Sequence, residues 1–67
     1  MKPIIKEWLK ALYEDEIRAV EGTIANQRMW AKGAPNDETT ELHLQNIDDQ
    51  EEYLEILHEK VEELENE

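Results

Sequence analysis

The residues best suited to binding chemistry flank one short Gly/Pro segment near the middle of the chain. Arg28 and Lys32 precede it, and their cationic groups suit a phosphate or a carboxylate. Trp30 offers a face on which a heterocycle can stack. His43 and Asn46 follow the segment and carry groups that hydrogen-bond to a heterocycle edge. These five residues form the candidate ligand-binding site that the sequence predicts.

A purely structural interpretation of the same region stays open. Trp30 would then anchor an interface between chains. Gln27 and His43 would satisfy one another as a polar layer that sets helix register. Arg28 and Lys32 would serve only to place cations at the C-terminal end of a helix, where they interact favourably with its dipole.

A second candidate is the pair Glu55 and His58, whose i,i+3 spacing puts a carboxylate and an imidazole on one helix face. Di-metal helical bundles use two such pairs with two further glutamates, and a dimeric hairpin would supply both copies. Glutamate is so frequent in this segment that chance accounts for the pairing. We therefore predict no metal ligand and no cofactor, and keep a carboxylate-bridged di-metal bundle as an alternative.

A third candidate is a row of carboxylates in the second half of the chain. Carboxylates spaced along a rigid helix can imitate a phosphate backbone, so an acidic DNA-mimic inhibitor of a nucleic-acid-binding enzyme is another alternative. Simple solvation of a helix face explains the same pattern. The carboxylates belong to Asp48, Asp49, Glu51, Glu52, Glu55, Glu59, Glu62 and Glu63.

The sequence contains no catalytic constellation. It has no cysteine, no serine and no Gly-rich phosphate loop, so the usual nucleophiles and phosphate cradles are missing. We predict a non-enzymatic protein.

Two heptad-like rows of residues, here called seams, must position these candidates. The steps alternate between three and four, as in packed helices, and the Gly/Pro segment separates the seams. This pattern predicts an all-α antiparallel two-helix hairpin in a single domain, 1–67, with helices over about 3–32 and 37–63 and a turn at 33–36. Residues 1–12 carry a separate apolar stripe out of phase with the first seam, so whether a break near 13–16 interrupts the first helix stays open. The seams are Tyr13, Ile17, Val20, Ile24, Gln27 and Ala31, then His43, Ile47, Gln50, Leu54, Leu57, Val61 and Leu64.

Two helices cannot cover all the apolar side chains of this sequence. A chain of 67 residues is near the lower limit for independent folding, and no disulfide is available to stabilise it. We expect self-association into a dimeric or larger helical bundle. The side chains left over by the seams are Ile4, Trp8, Met29, Trp30, Leu42, Leu44 and Ile56.

The formal net charge of −11 is unevenly distributed. Residues 1–33 contain six basic and five acidic residues, a balance of +1, whereas residues 34–67 contain one basic and thirteen acidic residues, a balance of −12. This disfavours direct nucleic-acid binding. No membrane span and no signal peptide is evident, so we expect no membrane partner and a cytoplasmic location.

Four short segments of the chain carry a resemblance. At these positions the sequence resembles small phage- and prophage-encoded helical proteins of Gram-positive bacteria, and the likeness extends over most of the chain from about Tyr13. It implies an accessory or counter-defence factor that sequesters a nucleotide-like signal or blocks a host protein, in the host cytoplasm. The segments are Glu21-Gly22-Thr23-Ile24, Arg28-Met29-Trp30-Ala31-Lys32-Gly33, His43-Leu44-Gln45-Asn46-Ile47 and Tyr53-Leu54.

Overall fold

A computed structural model describes residues 1–33 and 36–67, which form two long antiparallel helices. Helix α1 spans Pro3–Lys32 and helix α2 spans Asp37–Glu65. The all-α helical hairpin is thereby confirmed. Helix α1 is continuous through residues 13–16, as the predicted helix over about 3–32 requires, and α2 ends two residues later than expected. Ala34 and Pro35, in the predicted turn, lie outside the described residues.

Local chemistry sets the helix ends. Pro3 occupies the first turn of α1, where its missing N–H is not needed. Asn36 precedes α2 in an extended conformation, and its side-chain oxygen accepts a hydrogen bond from the N–H of Thr39 at 2.8 Å. The N–H of Gly33 donates back to carbonyls of α1, with φ at −96°. Gly33 therefore ends α1 without the left-handed conformation for which glycine is usually selected.

The core is a single row of side chains between the helices. Every residue of the two seams is buried or partly buried. Leu57, the most buried core residue, still keeps 4% of its surface exposed, so no large side chain of the described residues is fully enclosed. The five buried residues that form one cluster are Ile17, Val20, Ile24, Ile47 and Leu57, with Tyr13, Leu54 and Val61 packed against them.

Lysine side chains extend the first seam towards the N-terminus. Lys6 and Lys10 are partly buried at positions in phase with Tyr13. The Lys10 ammonium lies 2.9 Å from Glu65, and Lys6 donates to the backbone oxygen of Glu67 at 3.4 Å. Their aliphatic stems continue the packing while their charges reach α2, so residues 1–12 stay with the hairpin.

The hairpin is a rod whose principal extents are 51, 14 and 10 Å. Neither α1 nor α2 contains a stretch apolar and long enough to cross a bilayer.

Candidate functional site

The seam between α1 and α2 has two open edges, and ion pairs between the helices define the first. Lys10 contacts Glu65 at 2.9 Å, and Arg28 contacts Glu51 at 2.6 Å. Lys10 and Arg28 are eighteen residues apart in α1, about five full turns, so they lie on the same side of that helix. We call this side the ion-paired edge and define it by Lys10, Arg28, Glu51 and Glu65.

The Lys10–Glu65 pair shifts the pKa of both partners. The hydrogen bond to Glu65, and then its negative charge, raise the pKa of Lys10. The same hydrogen bond and the positive charge of Lys10 lower the pKa of Glu65. Each group therefore stays ionised over a wider pH range than usual, which is the behaviour of a tether between helix ends and not of a proton donor or acceptor.

The second edge begins with a contact between Tyr53 and Glu16. The Tyr53 hydroxyl donates to the Glu16 carboxylate at 3.3 Å. Partial desolvation, and then the charge of Glu16 and this hydrogen bond, raise the pKa of Tyr53 above its ordinary 10.0. An open groove of about 310 Å³ runs alongside, lined by Leu12, Tyr13, Glu16, Tyr53 and Leu57.

Trp30 and Asn46 belong to this second edge. Leu12 and Trp30 are again eighteen residues apart, about five turns, so both lie on the side of α1 that faces the groove. Asn46 comes about two turns before Tyr53 in α2 and lies on the same side of that helix. We call this side the aromatic edge and define it by Leu12, Glu16, Trp30, Asn46 and Tyr53.

At the turn end of the aromatic edge, Trp30 contacts His43 across the hairpin. The ring centroids are 6.1 Å apart and the ring planes are inclined by 49°. Trp30 nevertheless remains 56% exposed, whereas His43 is partly buried in the seam. Trp30 therefore has aromatic surface available for stacking beside a positioned imidazole and, on the same edge, an amide.

The structure divides the predicted site between the two edges. Trp30 and His43 are in contact, and Asn46 lies one turn after His43. Arg28 is separated from Trp30 by about 200° of helix rotation and is paired with Glu51. Lys32, one turn after Arg28, follows it on the ion-paired side. Cationic and aromatic groups therefore share one end of the rod without facing a common pocket in the single chain.

Two glutamines beside the aromatic edge are not among the five predicted site residues, although Gln27 was considered as a member of a polar layer with His43. The Oε1 atoms of Gln27 and Gln50 are buried and have no hydrogen-bond partner within residues 1–33 and 36–67. No hydrogen bond joins Gln27 to His43 in this part of the chain either, so the expected mutual satisfaction of these two is wrong, because the His43 ring packs against Trp30 instead. The sequence did contain a signal for these glutamines, because each is an amide at a seam position. Gln27 lies one turn before Trp30, and Gln50 lies one turn before Tyr53.

The metal alternative has no preformed site. Glu55 and His58 are both exposed. Across the described parts of the chain, no three His, Asp or Glu side chains gather as ligands for an ion.

The carboxylates of the third candidate are all exposed. Glu51 lies on the ion-paired edge, and the other seven cover the outer face of α2. Among the described residues, two of the eight take part in ion pairs: Glu51 with Arg28 at 2.6 Å, and Glu63 with Lys60 at 3.8 Å. The other six are free to face solvent or a partner.

Comparison with known proteins adds no relative. Neither a protein-family model, nor a curated protein, nor a solved structure matches this chain.

Proposed function

We propose that this chain is a non-enzymatic binding protein of the phage accessory or counter-defence type, which captures a nucleotide-like small molecule at the turn end of the aromatic edge. The observation that carries the proposal is Trp30, which lies against His43 and keeps 56% of its surface exposed. A half-exposed indole fixed by a neighbouring ring suits a planar heterocycle, and base–aromatic stacking contributes about 1–3 kcal/mol.

Hydrogen-bonding groups beside Trp30 support a base as the stacked group. Asn46 lies on the same edge, and the unpartnered Oε1 atoms of Gln27 and Gln50 are acceptors that require a donor. An exocyclic amine of a nucleobase is such a donor. Arg28 and Lys32 lie at the same end of the rod and contribute positive charge that attracts an anionic ligand.

The resemblance to phage-encoded helical proteins supports the biological setting. Sequestration needs a stable binder without catalytic groups, and the sequence offers no nucleophile of the cysteine or serine type. We place this activity in the cytoplasm of the host cell, where a signalling nucleotide would be found.

The two tryptophans of the chain allow a direct test. In Trp8→Phe the only indole is Trp30, and in the matched control Trp30→Phe the only indole is Trp8. Titration with ATP, cyclic AMP and a cyclic dinucleotide should quench the fluorescence of Trp8→Phe and leave that of Trp30→Phe unchanged. No quenching of Trp8→Phe by any of the three at millimolar concentration, with no bound nucleotide in native mass spectrometry of protein purified from its host, would overturn the proposal.

A second candidate function uses the outer face of α2. Its exposed carboxylates, six of them without an ion-pair partner in the described residues, would block a basic cleft on a host protein, including one that binds DNA. Salt distinguishes the two candidates. Binding through this face should weaken steeply as ionic strength rises, whereas a stacked ligand should respond weakly.

A further inference from the structure

The half of the aromatic edge nearest the chain termini carries more apolar surface than the hairpin covers. Leu12 is 64% exposed and Trp8, one turn earlier, is 65% exposed. On α2, Tyr53 and Ile56 keep 44% and 47% of their surfaces exposed. The groove of about 310 Å³ runs between the two sets. Contiguous apolar surface of this kind is typical of a protein interface.

We infer that a second copy of this chain covers the aromatic edge, with the two hairpins related by a twofold axis parallel to the helices. A single hairpin leaves its core partly open to solvent, because the core is one row of side chains and none of those described is fully enclosed. A second copy would shield this core from solvent. Chains of this size gain the missing stability from disulfides, metals or association. The sequence has no cysteine for a disulfide, and no three His, Asp or Glu side chains of the described residues gather as metal ligands, so we take association as the source of the missing stability.

Matching of like surfaces selects this edge over the other. A twofold contact brings the same surface of both copies together, so an apolar edge meets an apolar edge. A second copy on the ion-paired edge would instead cover the charged groups of Lys10, Arg28 and their partners. Association through that edge would desolvate these ion pairs, and the cost of their desolvation opposes binding.

Charge then selects the direction of the axis. An axis parallel to the helices places α1 of one copy against α2 of the other, with both turns at the same end. An axis perpendicular to the helices places α2 against α2 and the turns at opposite ends. Residues 34–67 have a balance of −12 and residues 1–33 of +1, so the parallel axis keeps the two acidic helices diagonal to one another.

A specific pair of charges fits the parallel axis. Lys60 is the only basic residue of α2 and lies about two turns after Tyr53, on the aromatic edge. Its contact with Glu63 within its own chain is long, at 3.8 Å. Glu16 of α1 lies level with Tyr53, about two turns from Lys60. The side chains of Lys60 and Glu16 each slant towards the N-terminus of their own helix, and because the helices are antiparallel they slant towards one another. With the axis parallel to the helices, Lys60 of each copy faces Glu16 of the other.

The parallel arrangement of the two copies also makes the proposed nucleotide site more specific. This one consequence rests on the proposed function. With both turns at one end, the two Trp30–His43 pairs lie on either side of the twofold axis. The unpartnered oxygens of Gln27 and Gln50 then face the interior of a four-helix bundle. A nucleotide would be held between two copies at that end.

Distance measurement tests the axis. The chain has no cysteine, so Asp37→Cys gives a unique spin label at the turn end, and Lys2→Cys gives one at the terminal end. Each label should show one distance of about 20–30 Å between copies, comparable to the width of a helical bundle. Distances close to the 51 Å length of the hairpin would place the turns at opposite ends and overturn the axis. A mass of 8.0 kDa with no dipolar signal would overturn the second copy itself.

Reversal of the charges of Lys60 and Glu16 tests the contact between the two copies. Lys60→Glu and Glu16→Lys should each raise the dimer dissociation constant at least about tenfold, and the double variant should restore it. Arg18→Glu matches the charge change of Lys60→Glu on the outer face of α1, and Glu59→Lys matches that of Glu16→Lys on the outer face of α2. Both controls should leave dissociation within about threefold of the parent chain. Equal weakening by Arg18→Glu, or no rescue in the double variant, would overturn the contact. A dimer that passes both tests but binds no nucleotide would refute only the proposed function.

Discussion

Trp30 and His43 contact each other across the hairpin, with ring centroids 6.1 Å apart, and so join the last turns of α1 to the first turns of α2. His43→Ala should remove the imidazole ring that contacts the Trp30 indole. In a Trp8→Phe background we expect a red-shifted Trp30 emission and a loss of about 0.5–1.5 kcal/mol of unfolding free energy. His58→Ala is the matched control, since His58 is exposed. Equal effects of the two substitutions would show that the contact is not formed in solution.

Truncation of the core should be costly because the core is only one row deep. Leu57→Ala and Ile24→Ala, at 4% and 5% exposure, should each lower the free energy of unfolding by about 2–5 kcal/mol. Leu44→Ala, at 51% exposure, should change it by less than about 0.5 kcal/mol. Urea unfolding at one fixed chain concentration measures these differences. A large effect at Leu44 would mean that the register of α2 differs from the one described.

The two buried glutamine oxygens should cost stability in the unliganded protein. Gln50→Met and Gln27→Met keep a similar volume and remove the unpartnered acceptor, so each should raise the free energy of unfolding by about 1–3 kcal/mol. Gln45→Met, at an exposed position, is the control. If these oxygens also hold a ligand, both core variants should lose nucleotide binding while gaining stability. A thermal melt with and without ATP reports both quantities.

The Arg28–Glu51 pair should contribute little to stability because both side chains are largely exposed. We expect Arg28→Ala to change the free energy of unfolding by less than about 1 kcal/mol. Glu51→Gln releases the guanidinium and should tighten binding of an anionic nucleotide several-fold, a gain that a further Arg28→Ala removes. Glu21 lines an open groove together with Arg28 and Glu51 on the ion-paired edge, so Glu21→Gln, which also removes one negative charge, is the control. Equal gains from Glu51→Gln and Glu21→Gln would indicate a general charge effect.

Tyr53 should ionise at a pH above 10.0, because partial desolvation and then the Glu16 carboxylate raise its pKa. Its raised pKa contributes stability that is present below pH 10.0 and is lost as the pH rises through the folded value. Absorbance titration in a Tyr13→Phe background measures this pKa. Glu16→Gln should lower it towards 10.0 without reaching that value, since desolvation is the larger cause. An unchanged Tyr53 pKa in Glu16→Gln would show that Tyr53 and Glu16 are not in contact.

Sequence alone predicted the helices closely because their signals are local. Proline at the start of α1, asparagine before α2 and the three-four spacing of the seams act within a few residues of where they stand. The apolar side chains that do not belong to the seams are exposed in the structure, as predicted. They include Trp8 and Ile56. The continuation of the helix through the N-terminal residues stayed open because Lys6 and Lys10 were counted as polar, although their aliphatic stems pack in the seam.

Only the tertiary structure decided which candidate residues face one another. Arg28 and Trp30 are two residues apart in sequence, yet the rotation of the helix turns them to opposite edges. Which edge of α2 each one meets depends on register, and the Arg28–Glu51 and Trp30–His43 contacts establish it. The burial of Gln27 and Gln50 without a partner was likewise invisible in the sequence. Whether a polar atom finds a hydrogen bond depends on atoms that the chain brings near only when the two helices pack.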